Sequence, residues 1–292
     1  MLSLEGGVSF VGVMGWPLTH TLSPVIHNAA FQRLGLDWVY LAWPVPPKDL
    51  RVAVGGLRSL GAMGANVTMP HKESVIRLLD DLSGDAARVG AVNTIQRLGD
   101  RLIGHNTDVD GFREFLTGDV GFDATGRSTV VLGAGGAARA VVRALGELRA
   151  GDIVIAARRA TRGKGLVDLA RPGNARIEVW DRATALASSA DLIVNCTPIG
   201  MTAGDPLPDA RFRPGQVVVD LIYQPPTTTL VQRARAAGAD AWGGLGMLVH
   251  QGASSFQIWT GQSPPLETMS AAAVHAIRSG RPAGDAAHPG EA

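Results

Sequence analysis

Residues 128–145 read STVVLGAGGAARAVVRAL, which is an apolar run, a glycine turn and a helix-forming run in direct succession. Gly133 and Gly135 fill the first two glycine positions of a dinucleotide-binding fingerprint, and Ala138 fills the third. Glycine permits the tight turn and lets backbone amides approach a pyrophosphate without a Cβ in the way. The stretch predicts a Rossmann-like strand–turn–helix unit, with an ordinary strand–helix turn as the simpler alternative. We expect a cofactor to contact Gly133, Ala134, Gly135, Gly136 and Ala137.

The end of the next predicted strand indicates which nucleotide binds. NAD-binding folds usually place an acid there to hold the ribose 2′-hydroxyl. This chain instead has Ala157 followed by Arg158 and Arg159, with Arg162 close behind. Guanidinium groups can clamp a 2′-phosphate and stack on adenine, so the pattern favours NADP over NAD. The alternative is a solvated arginine cluster in an arginine-rich chain.

Working outward from this unit, short apolar runs alternate with helical patterns along the chain. The runs are continuous, as expected for strands that are buried on both faces. Repeated strand–helix alternation predicts an α/β fold with mostly parallel sheets. The predicted strands are 8–13, 38–43, 64–68, 91–95, 128–133, 152–157, 191–196 and 216–221. The predicted helices are 23–34, 47–60, 71–80, 108–117, 136–148, 161–170, 227–237, 245–260 and 266–279.

The first predicted helix carries its own start and stop signals. Ser23 is the expected N-cap, Pro24 occupies the first helical position, and Gly35 lies just past the end.

Composition excludes several classes of protein. The chain has 292 residues, 46% hydrophobic and 18% charged, with a formal net charge of +1, so we expect two globular domains and neither nucleic-acid binding nor disorder. Its single cysteine rules out an internal disulfide, and the histidines show no metal-binding spacing. With no apparent signal peptide or membrane span, we expect a cytoplasmic protein without a metal. Only three lysines, Lys48, Lys72 and Lys164, offer a titrating ammonium.

Six polar or glycine-rich motifs occur in a characteristic order. They are GWPLTHTLSPVIHN (15–28), GANVTMPHKE (64–73), GAVNTI with GHNTDVDG (90–95 and 104–111), GAGGAAR (133–139), DLIYQPPTT (220–228) and GGLGMLVHQGA (243–253). Together they resemble the shikimate dehydrogenase family, collinearly over about residues 8–280. The resemblance implies two α/β domains separated by an active-site cleft, and NADP-dependent reduction of 3-dehydroshikimate to shikimate in aromatic amino-acid biosynthesis. It implies a substrate-binding domain of residues 1–107 plus 246–280 and an NADP-binding domain of residues 108–245. Residues 281–292 are expected to be a disordered tail.

The resemblance also assigns roles to individual residues. Lys72 matches the catalytic lysine and Asp108 its partner carboxylate. A lysine suits the reduction of a ketone, because its ammonium can stabilise the negative charge that builds on the carbonyl oxygen and can supply a proton to that oxygen. Which of the two groups moves the proton is left open. The matched substrate contacts are Thr21, Ser23, Thr68, Asn93, Tyr223 and Gln251. The matched contacts near the nicotinamide are Gly244 and Met247.

Two departures from the family pattern keep alternatives open. Thr21 replaces the usual serine of HSxSP, and its methyl group narrows the site. Ala157 replaces the usual asparagine of NRTxxR. The alternatives are a quinate or aminoshikimate dehydrogenase of the same family, and a catalytically silent NADP-binding sensor. Monomer and homodimer both remain possible.

Overall fold

The computed structural model describes residues 7–18, 21–158 and 165–279, which form two compact α/β units. The first unit comprises the described residues within Met1–Ser83, Val92–His105 and Gly252–Ala292. The second comprises those within Gly84–Ala91 and Asn106–Gln251. The predicted α/β class is confirmed. The domain boundaries predicted after residues 107 and 245 stay a prediction.

The first unit contains a mixed six-stranded sheet. Its strands are β1 (Ser9–Gly15), β2 (Trp38–Pro44), β3 (Gly64–Val67), β4 (Asp81–Leu82), β5 (Thr94–Leu98) and β6 (Arg101–His105), in the order β2-β1-β3-β5-β6-β4. Strands β1, β2 and β3 run parallel, whereas β5 runs antiparallel to both of its neighbours. Strands β5 and β6 form a hairpin through Gly99, at φ +60°. The expectation of mostly parallel sheets holds, and β5 is the exception in this sheet.

An aromatic core and two packed helices support this sheet. Helix α1 (Ser23–Arg33) packs against α10 (Leu266–Arg278). In the core, the His27 ring stacks on Tyr40 with centroids 4.4 Å apart. Burial of such large side chains is the main source of stability for a unit of this size.

The ends of α1 differ in how far the sequence predicted them. Gly35 lies past the C-terminus at φ +64°, and the Leu36 amide bonds to the Phe31 carbonyl at 2.9 Å, as in a Schellman motif. The prediction that Ser23 is the N-cap is wrong. Ser23 is the first helical residue, because Thr21 Oγ1 accepts the Ser23 amide at 3.3 Å and tightens the chain one residue earlier.

The second unit contains a parallel six-stranded sheet. Its strands are β7 (Thr129–Leu132), β8 (Asp152–Ala157), β9 (Asn174–Val179), β10 (Leu192–Asn195), β11 (Val217–Asp220) and β12 (Asp240–Gly243), in the order β12-β11-β10-β7-β8-β9. With β7 counted as the first strand, this is the 3-2-1-4-5-6 order of the Rossmann fold. Strands β7, β10 and β11 are buried along their whole length, which explains their continuous apolar sequences.

Helices cover both faces of this second sheet. Val131 joins one hydrophobic cluster with Leu145, and its neighbours Val130 and Leu132 join another cluster with Leu230. The alternation along β7 places successive side chains on opposite faces, as a strand requires. The remaining α-helices of the described residues are α2 (Leu50–Ser59), α3 (Gly84–Val89), α4 (Asp108–Glu114), α5 (Gly136–Glu147), α6 (Leu166–Leu169), α7 (Ala183–Ser189), α8 (Thr229–Ala236) and α9 (Leu245–Thr260).

Several elements differ from the sequence-based prediction. The helix expected over 71–80 is only a 3₁₀ turn at Ser74–Leu78, because the Asp80 amide bonds to the Leu102 carbonyl at 3.0 Å and draws the chain into the sheet. Helices α3 and α7 and strands β4, β6, β9 and β12 are additional to the predicted elements. The tail predicted over 281–292 lies outside the described residues.

Among the described residues, none of the helices has the length and apolarity that a membrane crossing requires. The same residues bring together no group of three or more His, Cys, Asp or Glu side chains that could bind a metal ion.

Candidate active site

The loops that follow β1 and β3 pack together at one edge of the first sheet. The Thr68 amide donates to the Met14 carbonyl at 2.9 Å, and the Trp16 amide donates to the Met69 carbonyl at 3.1 Å. A Cβ at Gly15 would overlap the Thr68 methyl group, so only glycine allows this approach. Parallel strands bring their carboxyl ends to a common edge, which is where ligands bind in α/β folds.

Lys72 lies in the loop after β3, and its backbone is fixed from two directions. The neighbouring His71 is 1% exposed, and its Nε2 lies 2.6 Å from the Val45 carbonyl oxygen. On the other side, the Lys72 carbonyl accepts the Val92 amide at 2.8 Å. The Lys72 side chain is half-buried. A lysine on such a fixed backbone can hold its ammonium at a defined position, which acid–base catalysis needs.

Asn93 precedes β5 at the same edge and is 2% exposed. Its carbonyl accepts the Val67 amide at 2.8 Å, and its Oδ1 accepts the Thr94 hydroxyl at 3.2 Å. Because the backbone and the side chain are both held, Asn93 presents a pre-organised polar group.

A buried polar network supports Asn93 from behind. Asn66 Oδ1 accepts the Tyr40 hydroxyl at 2.7 Å, and Asn66 Nδ2 lies 3.0 Å from both Thr94 Oγ1 and Ser255 Oγ. Asn66 Nδ2 also lies 3.1 Å from the Asn93 carbonyl oxygen. Asn66 and Ser255 were not predicted from the sequence, because their contact depends on both the first sheet and α9.

Thr21 and Ser23, in the segment after β1, are also buried, at 6% and 8% exposure. The Thr21 hydroxyl accepts the Ser23 amide. Thr21, Ser23, Thr68, Lys72 and Asn93 all therefore belong to the first unit. They come from segments that follow β1 and β3 or precede β5.

Asp108 is the first residue of α4 in the second unit and is 4% exposed. Asp108 lies inside the helix rather than at its N-cap position, and Asn106 Oδ1 accepts the amides of Asp108 and Val109, at 3.1 and 3.3 Å. Asn106 Nδ2 also donates to the Ala91 carbonyl at 2.8 Å. A carboxylate at the first helical position is favoured by the helix dipole. The signal for Asn106 was present, because asparagine two residues before a helix is a common turn former.

The glycine turn after β7 begins at the topological switch point of the second sheet. Gly133 has φ +107°, and a Cβ there would lie 3.1 Å from Thr197 Cγ2, after β10. Gly135, the N-cap of α5, has extended backbone, and a Cβ there would meet nothing within 4 Å. Ala138 is fully buried. The turn therefore presents an open helix N-terminus, which fits the pyrophosphate of a dinucleotide.

The end of β8 fits a phosphorylated ribose. Ala157 is 4% exposed and Arg158 is exposed, so a cation and no acid stands at this position. Arg159 and Arg162 lie outside the described residues.

A buried carboxylate organises the loops after β10 and β11. Asp220 is fully buried and accepts from Asn195 Nδ2, the Ile222 amide and Thr228 Oγ1, at 3.0, 3.1 and 2.7 Å. Burial raises the pKa of this carboxyl despite the three donors. Tyr223 follows in the same loop, half-buried, and burial raises the pKa of its phenol. Tyr223 was predicted as a site residue from its motif, whereas Asp220 was not.

The remaining predicted site residues lie at the end of β12 and on α9. A Cβ at Gly244 would overlap the Leu221 carbonyl oxygen, so the position requires glycine. Met247 is 7% exposed and belongs to the core of the second unit. Gln251 Nε2 donates to the Leu248 carbonyl at 2.8 Å.

Comparison with known proteins decides between the families that such a geometry could serve. The profile of the shikimate dehydrogenase substrate binding domain matches residues 13–95, and that of the shikimate 5′-dehydrogenase C-terminal domain matches residues 244–274. The NADP(+) shikimate dehydrogenase of Symbiobacterium thermophilum is 45% identical, over 94% of this chain and 96% of its own length. The chain belongs to the shikimate dehydrogenase family.

Solved structures agree with this family assignment. The shikimate 5-dehydrogenase of Thermus thermophilus, in complex with NADP(H) and shikimate, superposes with a TM-score of 0.82 at 36% identity, covering 92% of this chain and 99% of that one. Quinate dehydrogenase from Corynebacterium glutamicum, in complex with NAD, superposes with a TM-score of 0.83 at 28% identity, covering 91% and 99%. The fold is therefore common to family members that differ in substrate and cofactor.

Proposed function

We propose that this protein is an NADP-dependent shikimate dehydrogenase, which reversibly reduces 3-dehydroshikimate to shikimate. The observation that carries the proposal is Lys72, half-buried on a backbone that Val92 and the buried His71 hold in place. The 45% identity to a curated shikimate dehydrogenase over nearly the whole chain supports it. The first unit carries Lys72 and four of the six proposed substrate contacts, and the second unit carries the proposed cofactor contacts.

Lys72 and Asp108 are the proposed acid–base pair. The cofactor supplies or accepts a hydride when bound. The Lys72 ammonium stabilises negative charge on the carbonyl oxygen during reduction and delivers a proton to it. Asp108 is the proposed partner carboxylate, whose role is to accept a hydrogen bond from the substrate hydroxyl. The pair exchanges its proton with water after each turnover, and either group can be the one that relays it.

The substrate is a small ring bearing hydroxyls and one carboxylate. Hydroxyl and amide side chains suit it, because each can donate or accept at a fixed distance. The Tyr223 phenol is protonated near neutral pH, and burial raises its pKa further, so that it can donate a hydrogen bond to the carboxylate. The proposed substrate contacts are Thr21, Ser23, Thr68, Asn93, Tyr223 and Gln251.

The cofactor is held by the second unit. The turn from Gly133 to Ala137 receives the pyrophosphate at the N-terminus of α5. Arg158, with Arg159 and Arg162, contacts the 2′-phosphate. Gly244 and Met247 approach the nicotinamide.

The two alternative functions are separable by one assay. Steady-state rates are measured at the nicotinamide absorbance band with shikimate and quinate, each paired with NADP and NAD. The highest kcat/KM is expected for shikimate with NADP, because the Thr21 methyl disfavours quinate's extra ring hydroxyl and Arg158 disfavours NAD. A preference for quinate would support the quinate dehydrogenase alternative. NADPH binding without turnover of either acid would support the silent sensor.

A further inference from the structure

Arg139 joins the cofactor turn to a segment of backbone that the proposed mechanism does not use. Its own amide donates to the Gly135 carbonyl at 3.0 Å, which closes the first turn of α5. Its side chain is half-buried, and Nε donates to the carbonyl of Val89, the last residue of α3. The residue that shapes the cofactor turn therefore also holds the end of α3.

The residue after α3 leaves space for the Arg139 side chain. Gly90 follows Val89 at φ +66°, and a Cβ there would lie 3.0 Å from Arg139 Nη2. The absence of a side chain at Gly90 leaves room for the guanidinium. A cation at a helix C-terminus also satisfies carbonyls that have no partner within the helix.

Three successive hydrogen bonds then lead from Val89 to the catalytic loop. The Val89 carbonyl is held by Arg139, the Ala91 carbonyl by Asn106 Nδ2, and the Val92 amide by the Lys72 carbonyl. The chain passes from the second unit to the first between Ala91 and Val92. Only Gly90 and Ala91 separate Val89 from Val92, so a shift of the Val89 carbonyl acts close to the backbone that holds Lys72 and Asn93.

We propose that Arg139 is a positioning residue that couples occupancy of the glycine turn to the placement of Lys72 and Asn93. The proposal rests on the proposed function, since it assumes that the turn binds NADPH and the loops bind shikimate. In this proposal Arg139 acts through the Val89 carbonyl, and not through contact with the reacting atoms or the substrate.

The test measures coupling rather than turnover. Shikimate and NADPH are both reduced, so they bind together without reacting. Isothermal titration calorimetry gives the Kd of shikimate with and without saturating NADPH. In the wild-type protein NADPH is expected to change that Kd by about fivefold or more, a typical coupling between sites. In Arg139→Met the ratio of the two shikimate Kd values, without and with NADPH, is expected to be about one. Arg139→Lys should recover part of the wild-type ratio.

The matched control is Arg143→Lys, one turn further along α5. Arg143 pairs with Glu147 at 2.6 Å, on the part of α5 beyond the cofactor turn, so its variant should keep the wild-type ratio. An unchanged ratio in Arg139→Met would overturn the proposal, as would a wild-type ratio of one. A weaker NADPH Kd with the ratio preserved would overturn it too, by making Arg139 a cofactor ligand.

A second measurement separates this proposal from the proposed function. Hydrogen exchange of peptides covering 84–93 and 68–76 is followed with and without NADPH alone. Slower exchange in both peptides is expected in the wild type and in Arg143→Lys, but only little change in Arg139→Met. If the wild type binds no shikimate, the proposed function fails while this measurement still tests Arg139. Equal slowing in Arg139→Met would contradict the coupling.

Discussion

The main-chain amide of Val92 donates a hydrogen bond to the main-chain carbonyl of Lys72, with 2.8 Å between nitrogen and oxygen. Asn93 comes next, and its carbonyl accepts the Val67 amide at the same distance. The proposed acid–base residue and a proposed substrate ligand thus share one backbone framework. Because main-chain atoms form it, substitutions of the Lys72 side chain should report on chemistry rather than on folding.

Lys72→Ala should lower kcat by about 10²–10⁴-fold with a modest change in KM, since it removes the proton donor and leaves binding largely intact. Steady-state kinetics with shikimate and NADP measure this. Lys48→Ala, at an exposed lysine, is the control and should retain wild-type rates. A large rise in KM at unchanged kcat would instead make Lys72 a binding residue.

Arg158→Ala should weaken NADPH more than NADH, because only NADPH carries the 2′-phosphate that the guanidinium contacts. Loss of a charge-assisted hydrogen bond of this kind costs about 1.5–3 kcal/mol, roughly 10- to 150-fold in Kd. Fluorescence titration with each nucleotide gives both values. Arg211→Ala, an exposed arginine after α7, should affect neither. Equal losses for the two nucleotides would remove the argument for NADP.

Gly135→Ala should mainly weaken NADPH binding, whereas Gly133→Ala should mainly lower the stability of the fold. Gly135 has ordinary φ and open space around a Cβ, so alanine should leave the stability nearly unchanged and weaken NADPH by occupying the pyrophosphate's position. Gly133 has φ +107° and a close neighbour, so alanine there should cost about 1 kcal/mol of stability or more. Thermal unfolding and NADPH titration separate the two. Equal stability of the two variants would contradict the geometry.

Asp220→Ala should destabilise the protein by about 2–4 kcal/mol, because the buried donors of Asn195, Ile222 and Thr228 lose their hydrogen-bond acceptor. Asp220→Asn should cost less, since an amide oxygen can accept from two of them and the Thr228 hydroxyl can turn to accept. Urea unfolding measures both variants. A larger loss for asparagine than for alanine would show that the charge itself is required.

His27 should make the free energy of unfolding depend on pH in the acidic range. Burial lowers the pKa of this imidazole from 6.5 to about 3, so between those values the unfolded chain binds one proton more than the folded protein. Stability should therefore fall as pH drops below about 6.5, by up to about 1.4 kcal/mol per pH unit.

The matched variant His27→Phe keeps an aromatic ring against Tyr40 and has no proton to bind. Relative to wild type, its unfolding free energy should gain about 2.5 kcal/mol between about pH 7.5 and about pH 4.5, measured with urea at each pH. His275→Gln, at an exposed histidine, should show no such gain. A pH-independent difference between wild type and His27→Phe would contradict the low pKa.

The sequence predicted what depends on local pattern. The glycine turn after β7, the buried strands of the second sheet and the stop signal at Gly35 all follow from neighbouring residues. Strand β9 was missed because it lies at a sheet edge, where Asn174–Val179 mixes polar and apolar residues instead of forming an apolar run. The helix expected over 71–80 failed because His71 and Asp80 are held by distant carbonyls, which local propensity cannot register.

The candidate site likewise combines residues that local motifs predict with residues whose role depends on long-range contacts. Lys72, Asp108 and Asn93 stand in polar motifs that the sequence displays, and they stay predictions as catalytic or binding residues. Asn106 carries a local signal, because it accepts the amides of Asp108 and Val109. Asn66 and Arg139 were not predictable, because they act through contacts with residues far along the chain. Their partners are set by the order of the strands and by helix packing, which arise only once the chain is folded.

The hydrogen bonds from Asn66 to Ser255 and of Thr94 to the same hydroxyl impose an order on biosynthesis. The polar network behind Asn93 cannot close until residue 255 has left the ribosome, and α1 must wait longer for α10. The strands of the second sheet, which end at Gly243, are all available earlier. A nascent chain therefore has its nucleotide-binding sheet ready while the half that translation began first is still waiting for its last helices.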